Sequence, residues 1–336
     1  MGRGGVSPYR VPAPAAADRV RWPASFGTRF LMFVDVEEEF DWSAPLDACN
    51  RSVLAMRAFP EAHARFADYG TGLTCMVDHP VATDPAAVDI LRQVIADGRS
   101  AIGAQLHTWV TPPFDPGTPG DSYAGNLPRD LEAAKLDTIT QALTDAFGSR
   151  PIAYRAGRYG IGPATADLLA TRGYRIDSSM RARYDYSRDG GPDFTAIGND
   201  AFRIGGLLEI PLTTVFTGYA RRYGPRLYPA MSRLPHGHGL LARTGLLQRI
   251  ALTPEDMPIE DALDAVRIAV LEERQRLLCF SIHSPSFAIG HTPYVRDRGD
   301  LARMWHWWSR MFALLAQLGV TSTTISEALA TRDPSL

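Results

Sequence analysis

The chain has 336 residues, 45% of them hydrophobic and 21% charged, with a formal net charge of −2. That balance offers no electrostatic case for nucleic acid or an anionic membrane surface. The length suits one large α/β domain or two small ones. Its three cysteines, Cys49, Cys75 and Cys279, form no close pair, which excludes both a disulfide framework and a cysteine-based zinc site.

Residues 1–25 are rich in Gly, Pro, Ala and Arg and contain no apolar signal core. They read as a loose N-terminal arm ahead of a single domain over 26–331. No apolar window approaches the length of a membrane span. A reducing, cytoplasmic location is expected.

From residue 28 onward strand-like and helix-like segments alternate. Strands are predicted at Arg29–Val36, Gly72–Val77, Ser100–Leu106, Pro151–Ala156, Tyr174–Asp177, Leu207–Thr213, Leu277–Ile282 and Val320–Thr323. Helices are predicted at Ser52–Tyr69 with a break near Pro60, at Pro85–Asp97, Arg129–Phe147, Pro163–Arg172, Ile259–Arg276 and Asp300–Leu318, and briefly from Ser326. Leu131, Ala134, Leu136, Ile139, Leu143 and Phe147 form one apolar stripe. Gly148 and Gly173 stand where helices should stop. Alternation of this kind implies a parallel sheet or barrel. The stretch around 218–257 breaks the rhythm and reads as a loop and helix insertion.

In such folds the carboxyl ends of the strands carry the chemistry. Four acidic side chains, Asp35, Glu37, Glu38 and Glu39, follow the first apolar run directly. Asp35 and Glu37 lie closest to the strand, whereas Glu38, Glu39 and Asp41 read as rim or helix-start residues. Past the later strands come Asp78 and His79, then Gln105, His107 and Trp109, then Arg155 and Arg158, then Asp177, and last His283. Six ionisable strand ends in one chain are more than coincidence supplies. Carboxylate and imidazole are ligands for zinc or a similar divalent ion. A carboxylate beside an arginine stays ionised and can take a proton, and a histidine opposite can return one. His79 fits either a further ligand or an ordinary loop residue, and Asp177 either pairs with the site or caps the turn at Ser178-Ser179. Trp42, Trp109, Arg158 and Tyr159 stand beside these motifs, where aromatic and cationic groups suit a sugar. His236 and His238 invite a metal reading by spacing alone, and an isolated loop disfavours it.

The order of these motifs resembles the polysaccharide deacetylases of the NodB-homology type, over most of the chain from residue 30 to about 325. Asp35-Val-Glu37 looks like the first motif, which supplies a catalytic base and a metal ligand. Ile102-Gly-Ala-Gln-Leu-His107 is similar to the second, which supplies histidine ligands. Arg155-Ala-Gly-Arg-Tyr-Gly160 resembles the third, whose arginine orders the base. Asp177 with Ser178-Ser179 resembles the fourth. Phe280-Ser-Ile-His283-Ser-Pro285 resembles the fifth, whose histidine is the general acid. The resemblance implies a distorted (β/α)7-type barrel, a divalent metal with zinc first and cobalt or manganese next, and hydrolysis of an N- or O-acetyl group on a carbohydrate. It implies Asp35, Arg155 and His283 as catalytic residues. It implies Glu37 and His107, with Gln105 or His79, as metal ligands, and Trp42, Trp109, Arg158, Tyr159 and Asp177 at the substrate.

Two departures matter. The family places two histidines in its second motif, whereas Gln105 stands where the first is looked for and Trp109 lies four residues after it. The acidic pair is Asp-x-Glu instead of two adjacent Asp, so Asp35 and Glu37 could exchange the roles of base and ligand. Two alternatives follow: a glycan-binding relative that has lost a metal ligand, and a hydrolase of a non-sugar C–N bond.

Overall fold

The computed structural model describes residues 8–114, 117–231 and 237–331. The chain runs through β1 (Arg29–Val36), α1 (Phe59–Ala67), β2 (Leu73–Val77), α2 (His79–Thr83), α3 (Pro85–Ile95), β3 (Ala101–Leu106), α4 (Arg129–Phe147), β4 (Ala153–Ala156), α5 (Thr165–Thr171) and β5 (Ile176–Asp177). It continues through β6 (Phe202–Ile204), β7 (Leu207–Glu209), β8 (Thr214–Thr217), α6 (Gly224–Met231), α7 (Gly237–Arg243), β9 (Gln248–Ala251), α8 (Ile259–Arg267), β10 (Leu277–His283), α9 (Arg298–Gln317), β11 (Thr321–Ser322) and α10 (Ile325–Thr331).

The large sheet has the order β10-β1-β2-β3-β4-β5-β7-β6, with β11 also paired to β1. Its strands are parallel except the β6–β7 pair, and the sheet curls into a half-barrel. Strand alternation splits the core into two layers. On β1, Phe30, Met32 and Val34 pack outward against the helices, while Leu31 and Phe33 point inward with Leu277 and Cys279 of β10 and Ala153 of β4. Asp35 is the next inward position on β1, and it pairs in register with His283 on β10. Gln105 on β3 pairs in the same way with Arg155 on β4. The period of two that fills the inner core with apolar side chains therefore delivers polar ones at its rim.

The gap between β7 and β10 is bridged by a few bonds in place of a full ladder. Thr213 N–H donates to Cys279 O at 3.3 Å, and Cys279 N–H donates to Thr213 Oγ1 at 2.8 Å. Ser281 N–H donates to Leu252 O at 3.2 Å. The segment expected as an insertion is an excursion from the antiparallel pair β8–β9, whose flanking residues make this seam. β8 and β9 lie outside the expected strands because their residues carry no clear alternation.

Helix termini follow local chemistry. Asp78, Asp84 and Asp297 accept the N-terminal N–H groups of α2, α3 and α9. Gly148, at φ 74°, closes α4 in the left-handed conformation. The predicted helix over 259–276 holds as α8 only to Arg267, then loosens into a π turn at Ile268–Glu272. Leu54–Ala58 form a 3-10 turn before α1, whose first turn accommodates Pro60.

The described part of the expected loose arm is held to the loop at Asp193 and to the edge strand β6. Tyr9 and Val11 exchange backbone hydrogen bonds with Asp193, and Val20 bonds to Ala201. Val11 is fully buried and Trp22 stacks on Phe26 at 4.2 Å. Composition concealed this, because a Pro-rich strip needs only backbone pairing and a few anchors to lie down. His236 and the side chain of His238 lie outside the described residues. Among the described residues no helix is long and apolar enough to cross a membrane.

Candidate active site

Asp35, Glu37, Gln105, His107, Arg155 and His283 line one cleft of about 880 Å³ at the carboxyl ends of the strands. Trp42, Trp109, Arg158 and Tyr159 line it too. Arg155 Nη1 donates to Asp35 Oδ1 at 2.5 Å, and its Nε donates to Ser178 O at 3.0 Å. Both members of this ion pair are almost wholly buried. The other Asp35 oxygen lies 3.7 Å from His283 Nε2.

His283 is held from behind. Glu255 Oε2 accepts from its Nδ1 at 2.7 Å, and Glu255 Oε1 accepts from Ser286 Oγ. Burial pulls the His283 value down, but Glu255 and then Glu37 push it up to about 10. Glu255 thus favours the charged form of the imidazole. Trp42 meets it edge-on at 5.1 Å.

On the opposite side, His107 Nδ1 donates to Glu38 Oε2 at 2.7 Å. That bond places the proton on Nδ1 and leaves the Nε2 lone pair facing Glu37 Oε2 at 3.5 Å. Trp109 stacks on the imidazole at 4.2 Å and donates its Nε1–H to Glu38 Oε1 at 2.6 Å. Glu38, expected at the rim, is instead fully buried behind His107. The chain leaves β1 at Val36, so period-two alternation no longer applies, and the Glu38 N–H is captured by Asp78 Oδ2 at 2.8 Å.

Glu38, Asp78 and His107 offer donor atoms within 4.8 Å of one another, a grouping positioned to bind a metal. Its carboxylates are already occupied by hydrogen bonds to His107, Trp109, the Glu38 backbone and the Val81 N–H. The Nε2 side of His107 is different. Glu37 Oε1 and Gln105 Oε1 are buried there with no hydrogen-bond partner among the described residues. Gln105 Nε2 sits 3.2 Å from both Glu37 Oε2 and His107 Nε2. The two ends of the amide have the same shape, and exchanging them turns Oε1 to that point. Burial pushes the Glu37 carboxyl up to about 8, against the pull of His283 and His107. A cation beside it would restore the ionised form. The donor set Glu37, His107 Nε2 and the Gln105 amide thus fits a divalent ion.

Two expected residues fall elsewhere. His79 opens α2 and lines a separate surface depression with Asp89, Asp137 and Gln141. Asp177 follows the inward Ile176, so strand alternation turns it away from the cleft. It accepts from Ser179 N–H at 3.0 Å and from Ser179 Oγ, and it pairs in register with the buried Glu209. Turn capping is what it does. Glu255 escapes sequence reading because it stands in the irregular segment before α8, with no strand end to flag it.

No family model matches the sequence, and a search of the curated proteins found no match. Among solved structures, the chain is similar to a protein assigned as a polysaccharide deacetylase from Mycobacterium smegmatis, at 16% identity, covering 95% of this chain and 93% of that one, with a TM-score of 0.53. It is also similar to a 4-alpha-glucanotransferase from Thermococcus litoralis, at 11% identity, covering 92% of this chain and 41% of that one, with a TM-score of 0.51. A third similar chain is assigned as a polysaccharide deacetylase from Pseudomonas aeruginosa PAO1, at 14% identity, 91% coverage of each chain and a TM-score of 0.47. The fold is the curled half-barrel of the NodB deacetylases. A glucanotransferase shares it, so the side chains and not the fold must choose the reaction.

Proposed function

We propose that this protein is a metal-dependent hydrolase that removes acetyl groups from a carbohydrate. The observation that carries the reading is the pairing across one cleft of Arg155-held Asp35 with Glu255-held His283, beside the unpartnered oxygens of Glu37 and Gln105. A glycosyl transferase of two carboxylates would need no such histidine donor. A divalent ion held by Glu37, His107 and Gln105, zinc first, would polarise the acetyl carbonyl and make water a usable nucleophile.

The chain's own groups do the rest. Asp35, held in place by Arg155, takes a proton from the attacking water. His283 gives its Nε2 proton to the departing amine nitrogen or alkoxide oxygen as the acyl bond breaks. Water thus ends divided between acetate and the freed sugar. Glu255 holds the imidazole in place and favours its charged form. Trp42 and Trp109 offer faces for a sugar ring. His79 and Asp177 take no part. Residues 26–331 act as one catalytic domain, and the free, exposed Cys49 suits the cytoplasm.

The test is acetate release from N- and O-acetylated sugars by protein loaded with zinc, cobalt or manganese, alongside metal analysis of the purified protein. The expected result is one bound ion and acetate release, reduced at least about a hundredfold in His283→Ala. Full turnover in that variant removes His283 as the acid. A protein that binds sugar but neither retains metal on titration nor releases acetate is a binding relative instead.

A further inference from the structure

We propose that the substrate carries an anionic group, a carboxylate or a phosphate, gripped by Arg181 and Arg158 on the cleft wall; the proposal rests on the same cleft being the deacetylation site. Both arginines line that cleft. Elsewhere the chain matches many of its arginines with carboxylates, as in Arg155–Asp35, Arg183–Glu273 and Arg221–Glu272. Among the described residues these two have none within ion-pair distance. Arg181 is partly buried, with its guanidinium 4.0 Å from the Tyr184 ring centroid and 5.6 Å from that of Tyr159. The one hydrogen bond of its side chain among the described residues is a long one, 3.5 Å, to the Tyr186 hydroxyl. Arg158 has only neutral partners, the Ser122 and Tyr123 hydroxyls.

The backbone supports the reading independently. Arg158 and Tyr159 sit at φ 54° and φ 59°, two consecutive non-glycine residues in the left-handed region. Such conformations cost energy and persist where surrounding structure holds a side chain to a task. Here they set Arg158 and Tyr159 on the cleft wall beside Arg181. Asp189, exposed on the same wall, ion-pairs with neither arginine. An anion gripped by the arginine wall fixes which end of the substrate faces Asp35 and His283 in the same cleft. A guanidinium fork takes either acid, since both present paired oxygens.

The experiment compares an N-acetylated hexuronic acid, N-acetylglucosamine phosphate and neutral N-acetylglucosamine. Binding to the metal-loaded protein is read by quenching of tryptophan fluorescence, with acetate release measured in parallel. At least one charged sugar is expected to bind about tenfold or more tighter than the neutral one, and which acid wins assigns its source. Arg181→Gln and Arg158→Gln should each cut that preference by about tenfold, while Arg181→Lys keeps part of it. Equal binding of charged and neutral sugars, no binding of any, or a preference that survives both glutamine variants overturns the proposal. Arg158 is exposed, so its variant decides the matter if Arg181→Gln does not fold. Tight binding of a charged sugar without acetate release would sink the deacetylase reading and leave this one standing.

Discussion

His283 shows how much a single carboxylate can decide. Its ordinary value of 6.5 is raised to about 10, with Glu255 the largest upward influence over the pull of burial. A raised histidine stabilises the fold where it is charged. The contribution is complete below about pH 6.5 and is lost as pH rises towards 10. The same proton is the one donated in catalysis, so the alkaline limb of activity should follow it. Glu255→Gln is expected to move that limb down by about 1 pH unit or more, and a pH–rate profile checks this. A limb that stays where it was would mean that Glu255 only packs. At the same scale, His107 owes its unprotonated Nε2 to the hydrogen bond from Nδ1 to Glu38. Neither Glu38 nor Glu255 was legible beforehand, because each acts from behind the residue that the strand end marks.

At the scale of elements, the period of two on β1, β3, β4 and β10 explains which side chains meet. Asp35, Gln105, Arg155 and His283 were readable because each ends a buried strand and faces inward. Of the two roles open for Asp177 the turn cap is the one seen, because its strand has only two residues and one step of register decides its face. Backbone crossings impose a different constraint. A Cβ on Gly125 would meet the Gly162 backbone nitrogen at 2.0 Å, whereas one on Gly198 would meet nothing within 4 Å. Gly125→Ala should therefore cost about 2–3 kcal/mol or more through forced backbone movement. Gly198→Ala should change stability by less than about 0.5 kcal/mol. Denaturant unfolding of both variants gives the comparison, and similar midpoints would refute the crossing as a constraint.

Across the whole molecule, the ion pair of Arg155 with Asp35 ties opposite parts of the half-barrel, 120 residues apart in sequence. Both groups are nearly inaccessible, at 1% and 3% side-chain exposure, so losing one leaves the other buried and uncompensated. Arg155→Met should destabilise by about 3–5 kcal/mol. Adding Asp35→Leu to it should recover part of that loss, since an apolar pair leaves no stranded charge. Thermal unfolding of the single and double variants tests this, and a double variant less stable than Arg155→Met would contradict it.

The α/β class, the parallel strands and the inward-facing acids of the first motif followed from the sequence alone, because apolar periodicity and strand-end chemistry are local properties. What only the tertiary structure decided is which groups stand behind them. Glu38 against His107, Glu255 against His283 and the anchoring of residues 9–20 to the Asp193 loop and β6 join segments far apart in the chain. Hydrogen bonds of that kind leave no periodic trace, since they depend on where the half-barrel closes and not on how each strand is patterned.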